Sequence, residues 1–399
     1  MYRHDFPLFA EQPDLAYFDS AATAQKPQVV LDAVRQALVH AANPDRGLYP
    51  LSTEATELVE KVRQKVADFI SSPKADQVVF TANATEAFNL VTHGLAEGLK
   101  AGDEIVLSNL EHTSVTLPWR QLALQKGLLL HYLPHDSQTG RLQMGELLKL
   151  VNSRTKVISL SVVSNVYGTR SQVEKTRKIV EQQGSRALIV LDACQAAPHE
   201  ALNVQELGAD VVIFSGHKLY APTSTGVLWG SPALFNMFGS FVPTRAGGGS
   251  IETLRPDEIM WKKSPQRVAG GTPAVESIAG LGAAIDYTQG IGWDKIRSHT
   301  AEMVALVREK LTSPRITWLT QESDVTILSF SVVGAHPHDI ADALGSRGVC
   351  VRAGLHCAHG LFKANDSGYV RLSFGVYNTR EDVEKLAAAL TEVLDLYHE

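Results

Sequence analysis

Residues 210–230 read DVVIFSGHKLYAPTSTGVLWG, and this stretch decides the fold. Its apolar runs at 210–215 and 225–230 predict two strands that a short loop separates. The first run leads directly into Ser215, Gly216, His217 and Lys218. A buried strand that ends on a histidine and a lysine indicates that polar side chains have a task at the edge of a sheet.

The sequence before this stretch repeats short apolar runs between helix-length segments. Runs rich in Val, Ile and Leu predict strands at QVVF (77–80), DEIVLS (103–108), KVISLSVV (156–163), ALIVLD (187–192) and DVVIFS (210–215). Such runs are typical of strands buried on both faces, and their alternation with helices predicts a mainly parallel α/β sheet. The strand TGVLWG (225–230) follows DVVIFS so closely that we expect an antiparallel strand in this pair.

A second, smaller α/β pattern follows a Gly-rich and charged stretch at 247–273, which we interpret as loops. A long helical run is predicted over 280–311. A chain of 399 residues exceeds the roughly 250–300 residues at which a single core stops growing. We therefore predict a large domain at 16–282 and a small domain at 283–399, which also includes residues 1–15.

Composition indicates a globular protein whose ligands are small molecules. Apolar residues make up 44% of the chain and charged residues 20%, with a formal net charge of -6. Long runs of like charge and apolar runs of membrane-spanning length, about 18 residues, are both absent, so we expect no nucleic-acid or membrane partner. The N-terminus lacks the apolar core of a signal peptide, and three cysteines do not form a disulfide framework. We expect a cytoplasmic protein with reduced thiols.

Polar side chains follow the predicted strands, and the carboxyl ends of parallel strands meet at one rim. Taken alone, Asp192 could cap a helix, His112 could be a core histidine, and Lys218 could be an ordinary exposed lysine. Together, a carboxylate, a lysine, an imidazole and a hydroxyl-rich helix N-terminus are the groups needed to hold pyridoxal phosphate (PLP). The strand ends deliver Thr81–Thr85, Glu111–His112, Ser164–Asn165, Asp192–Gln195 and Ser215–Lys218.

An ordered series of motifs resembles the class V aminotransferase-like PLP enzymes of fold type I, and within them the short-loop cysteine desulfurase and selenocysteine lyase family. The series covers nearly the whole chain. The resemblance implies a large domain with a mainly parallel seven-stranded sheet and a smaller C-terminal α/β domain. The motifs are YFDSAAT (17–23), ATEAFNLV (84–91), LEHTSVTLPW (110–119), SNVYGT (164–169), DACQAA (192–197), FSGHKLYAPTSTGVL (214–228), GGTP (270–273), RAGLHCA (352–358) and VRLSFGVYNT (370–379).

The resemblance also implies how the strand-end residues hold the cofactor. Lys218 matches the Schiff-base lysine, Asp192 the partner of the pyridine nitrogen, and Gln195 a donor to the phenolic oxygen. His112 matches the imidazole that stacks on the ring and is the expected proton shuttle. A neighbouring subunit of a homodimer is expected to contribute a threonine to the phosphate. The phosphate positions are Thr85, Ser215, His217, Ala84, where threonine is usual, and the neighbour's counterpart of Thr272.

The C-terminal motifs imply the sulfur chemistry. Arg371 matches the arginine that binds the substrate carboxylate through two N–H groups. Cys357 matches the nucleophilic cysteine, whose positive neighbours favour the thiolate. We predict that Cys357 takes sulfur from L-cysteine or a related small amino acid, with Lys218 as the base at the α-carbon, and passes it to an acceptor. The further residues assigned to the substrate site are Asn165, Arg352 and Arg46.

Other functions stay open on the same scaffold. They are selenocysteine lysis, cysteine sulfinate desulfination, and C–S β-lysis, in which Cys357 is dispensable. A non-catalytic partner protein is disfavoured by the intact Lys218 and Asp192. A nicotinamide-dependent Rossmann enzyme is disfavoured because the glycines of 280–284 do not follow a predicted strand.

Three departures from the family pattern bear on the substrate. Asp45 stands where many relatives carry a histidine, and Leu355 replaces an imidazole beside Cys357. Ala84 removes a hydroxyl from the phosphate site. A zinc site at Cys350, Cys357 and their neighbouring histidines lacks the usual close cysteine pair, so we expect no metal.

Overall fold

The structure is a computed structural model and describes residues 2–236, 241, 243–262, 266–319 and 323–397. These residues form helices α1 (Pro7–Glu11), α2 (Gln28–Val39), α3 (Pro50–Phe69), α4 (Ala84–Leu95), α5 (Thr113–Lys126), α6 (Met144–Leu150), α7 (Glu174–Gln182), α8 (Pro232–Asn236), α9 (Val275–Ile291), α10 (Trp293–Lys310), α11 (Pro337–Gly345) and α12 (Arg380–Leu396). The strands are β1 (Ala16–Tyr17), β2 (Val78–Thr81), β3 (Glu104–Ser108), β4 (Leu129–Leu133), β5 (Thr155–Ser161), β6 (Leu188–Asp192), β7 (Val211–Ser215), β8 (Gly226–Gly230), β9 (Ile251–Arg255), β10 (Glu258–Trp261), β11 (Ile316–Trp318), β12 (Ile327–Val332), β13 (Val349–Cys350), β14 (Arg352–Gly354) and β15 (Tyr369–Ser373).

The central sheet of the described residues has seven strands in the order β2-β8-β7-β6-β5-β3-β4. Strands β3 to β7 run parallel, whereas β8 pairs antiparallel with both β7 and β2. Every residue of β3, β6, β7 and β8 is buried, as their uninterrupted apolar runs predict. The α/β class, the mainly parallel seven-stranded sheet and the antiparallel strand are confirmed.

A four-stranded antiparallel sheet in the C-terminal part has the order β11-β12-β15-β14. The chain's start contributes to this region, because β1 pairs in parallel with β13. Two clusters of buried apolar residues accompany the two sheets. Phe6 and Phe9 belong to the larger cluster, around the seven-stranded sheet, whereas Ala16 and Phe18 belong to the smaller one. The predicted domain boundaries stay a prediction.

Two sequence predictions need correction. The predicted helical run over 280–311 is two helices, α9 and α10, because Gly292 between them has a φ of 88°, which a helix does not accommodate. The stretch at 247–273, interpreted as loops, contains the antiparallel hairpin β9–β10. Its side chains are mostly exposed, so it lacks the apolar alternation by which a strand is recognised. Among the described residues, no helix could span a membrane.

Gly226, the first residue of β8, brings the sheet against the loop that precedes α4. A Cβ at Gly226 would lie 2.5 Å from the backbone carbon of Asn83 and 2.5 Å from Thr81 Oγ1. Only glycine allows so close an approach of two backbone segments. The N-terminus of α4 therefore lies beside the end of β7, where Lys218 follows.

Candidate active site

One cleft of about 310 Å³ lies at the carboxyl ends of the parallel strands. Its walls come from both sheets, because residues after β14 and on β15 close it opposite the strand ends. The structure thus brings together most of the predicted site residues. Those that line the cleft are Lys218, Cys357, His112, Asp192, Gln195, Ala84, Thr85, Ser215, His217, Asn165, Arg352 and Arg371.

The lysine follows the buried strand β7 through one turn of 3-10 helix, Gly216–Lys218. Ser215 Oγ accepts a hydrogen bond from the backbone N–H of Ala84, the first residue of α4, at 2.9 Å. Burial, followed by the nearby Lys218, lowers the pKa of His217 to about 4, so the imidazole is neutral at pH 7. A helix N-terminus, a hydroxyl and an imidazole thus meet beside the lysine, an arrangement suited to a phosphate.

Asp192 ends strand β6 and is buried. Its Oδ1 accepts the backbone N–H of Cys194 at 2.8 Å, which fixes the carboxylate at the floor of the cleft. Gln195 donates from Nε2 to the carbonyl of Ala21 at 2.9 Å. Burial raises the pKa of Cys194, which makes its thiol a poor nucleophile.

His112 is the N-cap of α5, and its Nδ1 accepts the backbone N–H of Ser114 at 3.1 Å. A backbone N–H can only donate, so Nδ1 carries no proton and the neutral ring holds its proton on Nε2. Burial, followed by Lys218, lowers the pKa of His112 to about 4. The ring is therefore neutral at pH 7 and has one N–H to donate.

Arg371 on β15 is 1% exposed. Its Nη1 donates to the carbonyl of Asn165 at 3.1 Å and its Nη2 to Oδ1 of Asp19 at 3.1 Å. Its Nε has no partner within the described part of the chain. A buried guanidinium with a spare donor is suited to receive a carboxylate.

Cys357 lies in the short loop after β14, and its Sγ receives a hydrogen bond from Nη2 of Arg352 at 3.4 Å. His356 and Cys357 have φ values of 50° and 57°, the left-handed region that non-glycine residues rarely adopt. Each such residue costs about 1–3 kcal/mol and persists only where its surroundings hold it. The loop therefore keeps the thiol in a strained position beside a cation.

The residues in this cleft fit PLP. Asp192 provides a buried carboxylate for a protonated pyridine nitrogen, and Lys218 provides an amine for an aldehyde. The N-terminus of α4 with Ser215 provides donors for the phosphate. The chemistry of the donor set thus matches the cofactor that the sequence predicts.

Two predicted residues lie elsewhere. Arg46 and Thr272 line a second cleft, of about 530 Å³, to which Arg245 and Lys262 also contribute. The resemblance assigns Thr272 to the phosphate of a neighbouring subunit, so its position away from Lys218 of its own chain is compatible with that role. The roles of Arg46 and Thr272 stay predictions. Within the described ranges, groups of three or more metal-ligating side chains are absent.

Two residues with a place in the site were missed by sequence reasoning. Asp19, the counter-ion of Arg371, lies in the YFDSAAT motif, but nothing local shows that it contacts β15. Glu111 was recognised only as a strand-end residue, yet its buried carboxylate accepts three hydrogen bonds from Ser108 and Ser161. A carboxyl group just after the buried strand β3 and next to His112 is the signal that could have identified it.

The profile of the aminotransferase class-V family matches residues 16–386. A probable cysteine desulfurase of Vibrio cholerae serotype O1 is 38% identical over 386 residues, which cover 96% of this chain and 94% of that protein. The apo structure of a cysteine desulfurase from Thermococcus onnurineus NA1 has a TM-score of 0.92 at 36% identity, covering 98% of this chain and 97% of the other. The cysteine desulfurase CsdA of Escherichia coli, in its S-sulfonic acid form, has a TM-score of 0.90 at 31% identity, covering 99% and 98%.

The chain therefore belongs to the aminotransferase class-V family, as the fold and the strand-end site indicate. Within that family it is a member of the cysteine desulfurase group, because the relatives of that group match it over nearly the full length of both chains.

Proposed function

We propose that the protein is a PLP-dependent cysteine desulfurase, which takes sulfur from L-cysteine and leaves L-alanine and a persulfide on Cys357. The observation that carries this proposal is that the Cys357 thiol and the Lys218 amine line one cleft with the Arg371 guanidinium. A C–S β-lyase on this scaffold needs the lysine but no cysteine thiol, whereas a desulfurase also needs a thiol that reaches the substrate sulfur.

Each residue has a defined task in this reaction. Arg371 holds the substrate carboxylate, and Lys218 takes the proton from the α-carbon. PLP, when bound, supplies an electron sink next to that carbon. The Cys357 sulfur attacks the substrate sulfur, so that an S–S bond forms while the C–S bond breaks and its electrons stay on the carbon fragment. His112 donates its Nε2 proton towards the fragment that becomes alanine.

The test is release of alanine and sulfide from L-cysteine in the presence of a reductant. Wild type is expected to form both in equal amounts, and Cys357→Ser and Lys218→Ala are each expected to lose both. Full activity of Cys357→Ser, or pyruvate in place of alanine, would show a lyase on the same scaffold. Selenocysteine and cysteine sulfinate are assayed beside L-cysteine as alternative substrates. The proposal requires that Cys357→Ser lose most of its activity towards L-cysteine.

We further propose a homodimer in which Thr272 serves the neighbouring subunit's phosphate site. Large apolar side chains are exposed on α2 and just before α3, among them Val39, Leu48 and Tyr49, and burial in an interface would remove them from water. Mixing Lys218→Ala and Thr272→Ala subunits tests this. Recovery of activity in the mixture is expected, because a mixed dimer has one site with both residues intact. If both variants are inactive alone and the mixture stays inactive after subunit exchange has been verified, the proposed role of Thr272 is contradicted.

A cytoplasmic location and a sulfur acceptor complete the proposal. The three cysteines are all unpaired, which is compatible with a reducing compartment. A persulfide on the half-buried Cys357 is passed to an acceptor protein, or to a small thiol in vitro. Cell fractionation, and transfer of labelled sulfur to proteins of a cytoplasmic extract, test the two statements.

A further inference from the structure

Two consecutive carbonyls of the loop that carries the thiol are held from the large sheet's side of the cleft. The carbonyl of His356 accepts from Nδ2 of Asn165 at 2.8 Å, and the carbonyl of Cys357 accepts from the backbone N–H of Thr113 at 2.7 Å. A carbonyl oxygen can only accept, so the atom of Asn165 that faces His356 is the amide nitrogen. The first of these bonds depends on a side chain, whereas the second is between backbone groups.

The loop needs such bonds because its backbone is strained. His356 and Cys357 both have left-handed backbone angles, which their Cβ atoms disfavour. Without partners for the two carbonyls, the peptide groups of this pair are free to turn towards ordinary angles. The position of Sγ would change with them.

Asn165 also holds the group assigned to the substrate carboxylate. Its backbone carbonyl accepts from Nη1 of Arg371 at 3.1 Å. The residue is buried, and it follows β5 in a loop closed by the bridge between Val163 and Arg170. One residue in a fixed loop therefore contacts Arg371 through its backbone and the thiol loop through its side chain.

We propose that Asn165 is a positioning residue that sets the separation between the Arg371 guanidinium and the Cys357 thiol. This inference rests on the proposed function, in which Arg371 fixes one end of the substrate and Cys357 attacks the sulfur at the other end. A nucleophile displaced by about 1 Å can lose up to about 100-fold in rate. The side-chain amide of Asn165 keeps the thiol loop at the distance that the substrate requires.

A different role for Asn165 is direct binding of the substrate carboxylate. The two roles predict different kinetics. A positioning residue changes kcat and leaves KM nearly unchanged, because the backbone contact to Arg371 survives any substitution of the side chain. A direct ligand raises KM and leaves the loop as ordered as before.

The experiment compares Asn165→Leu with wild type. The substitution is close in size and removes the amide donor to the carbonyl of His356 without adding a charge beside Arg371. We expect kcat for alanine formation to fall about 10- to 100-fold, with KM within about twofold. We also expect the amides of a peptide spanning 355–361 in the PLP-loaded protein to exchange with deuterium about three- to tenfold faster, as the loss of one hydrogen bond implies. A second neutral variant, Asn165→Ala, gives the same comparison if Asn165→Leu does not fold.

The matched control is Asn152→Ala. Asn152 precedes the same strand, β5, and donates from Nδ2 to Oε2 of Glu104 at 2.7 Å, far from the loop in sequence. We expect its variant to leave exchange at 355–361 and the kcat unchanged. A raised KM with unchanged loop exchange in Asn165→Leu would overturn the proposal, as would unchanged exchange with any kinetics. The exchange measurement needs no turnover, so a wild type that forms no alanine would refute the proposed function separately.

Discussion

Arg371 and Asp19 form an ion pair, with Nη2 of the arginine 3.1 Å from Oδ1 of the aspartate. Burial lowers the pKa of Arg371 to about 10 and raises that of Asp19, and each charge opposes the shift of the other. The pair joins residues that are 352 positions apart. Asp19 therefore stabilises a buried guanidinium before any substrate carboxylate arrives.

Replacing Asp19 by asparagine keeps the size of the side chain and removes the charge. We expect the free energy of unfolding to fall by about 1–3 kcal/mol, because Arg371 stays buried without a counter-ion. Urea unfolding measures the change. The control Asp286→Asn removes a partner of Lys65 in an exposed pair and is expected to cost less than about 1 kcal/mol. Equal losses in the two variants would contradict the role of Asp19.

The cysteines of the cleft are expected to differ in reactivity. Cys194 is buried, and burial raises the pKa of its thiol, whereas Cys357 is half-buried beside Arg352. Iodoacetamide should modify Cys357 at least about tenfold faster than Cys194 in the folded protein. Timed peptide mass spectrometry measures both rates, and denatured protein, in which the rates should converge, is the control. Equal rates in the folded protein would refute the assignment.

Glu111 gives stability a pH dependence with a defined sign. Burial raises the pKa of its carboxyl from 4.5 to about 7, against the hydrogen bonds from Ser108 and Ser161. Between these values the folded protein binds a proton that the unfolded chain releases, so this contribution is full below pH 4.5 and is lost as the pH rises to 7. Glu111→Gln should remove that decline from the free energy of unfolding. Parallel curves for the two proteins over this window would show that Glu111 does not titrate there.

Gly226 should control cofactor affinity through packing. In Gly226→Ala the new Cβ meets the backbone of Asn83, so the N-terminus of α4 must move. We expect a loss of about 1–3 kcal/mol in unfolding free energy and faster release of PLP, followed by its absorbance after dialysis. Gly290→Ala on α9, where a Cβ meets nothing within 4 Å, is the control and should be neutral or slightly stabilising. Equal PLP release from the two variants would argue against the contact.

The strands of the central sheet were predictable where both faces are buried, since their apolar runs are uninterrupted. Edge strand β4 was not predicted, because its residues Leu129–Leu133 are mostly exposed or half-buried and mix polar with apolar side chains. Hairpin β9–β10 was missed for the same reason. A strand can be predicted from a single sequence when both of its faces are buried.

The site was predictable where function follows a strand end. Asp192 ends β6, and Lys218 follows the neighbouring strand β7 after one turn of 3-10 helix, so the order of the strands brings them together. The contact of Asp19 with Arg371 could not be predicted, because it depends on the pairing of distant segments. The hydrogen bond from Asn165 to the carbonyl of His356 depends on the positive φ of His356. The residue types in the loop do not predict that angle.

The distant pairing of the chain's first strand also sets an order of assembly during synthesis. Strand β1 finds its partner β13 only when Val349 has been made, and Asp19 meets Arg371 later still. The segment through Gly230 already contains Asp192 and Lys218. A nascent chain therefore contains the residues proposed to hold the cofactor well before the residues proposed to bind the amino acid and take up its sulfur.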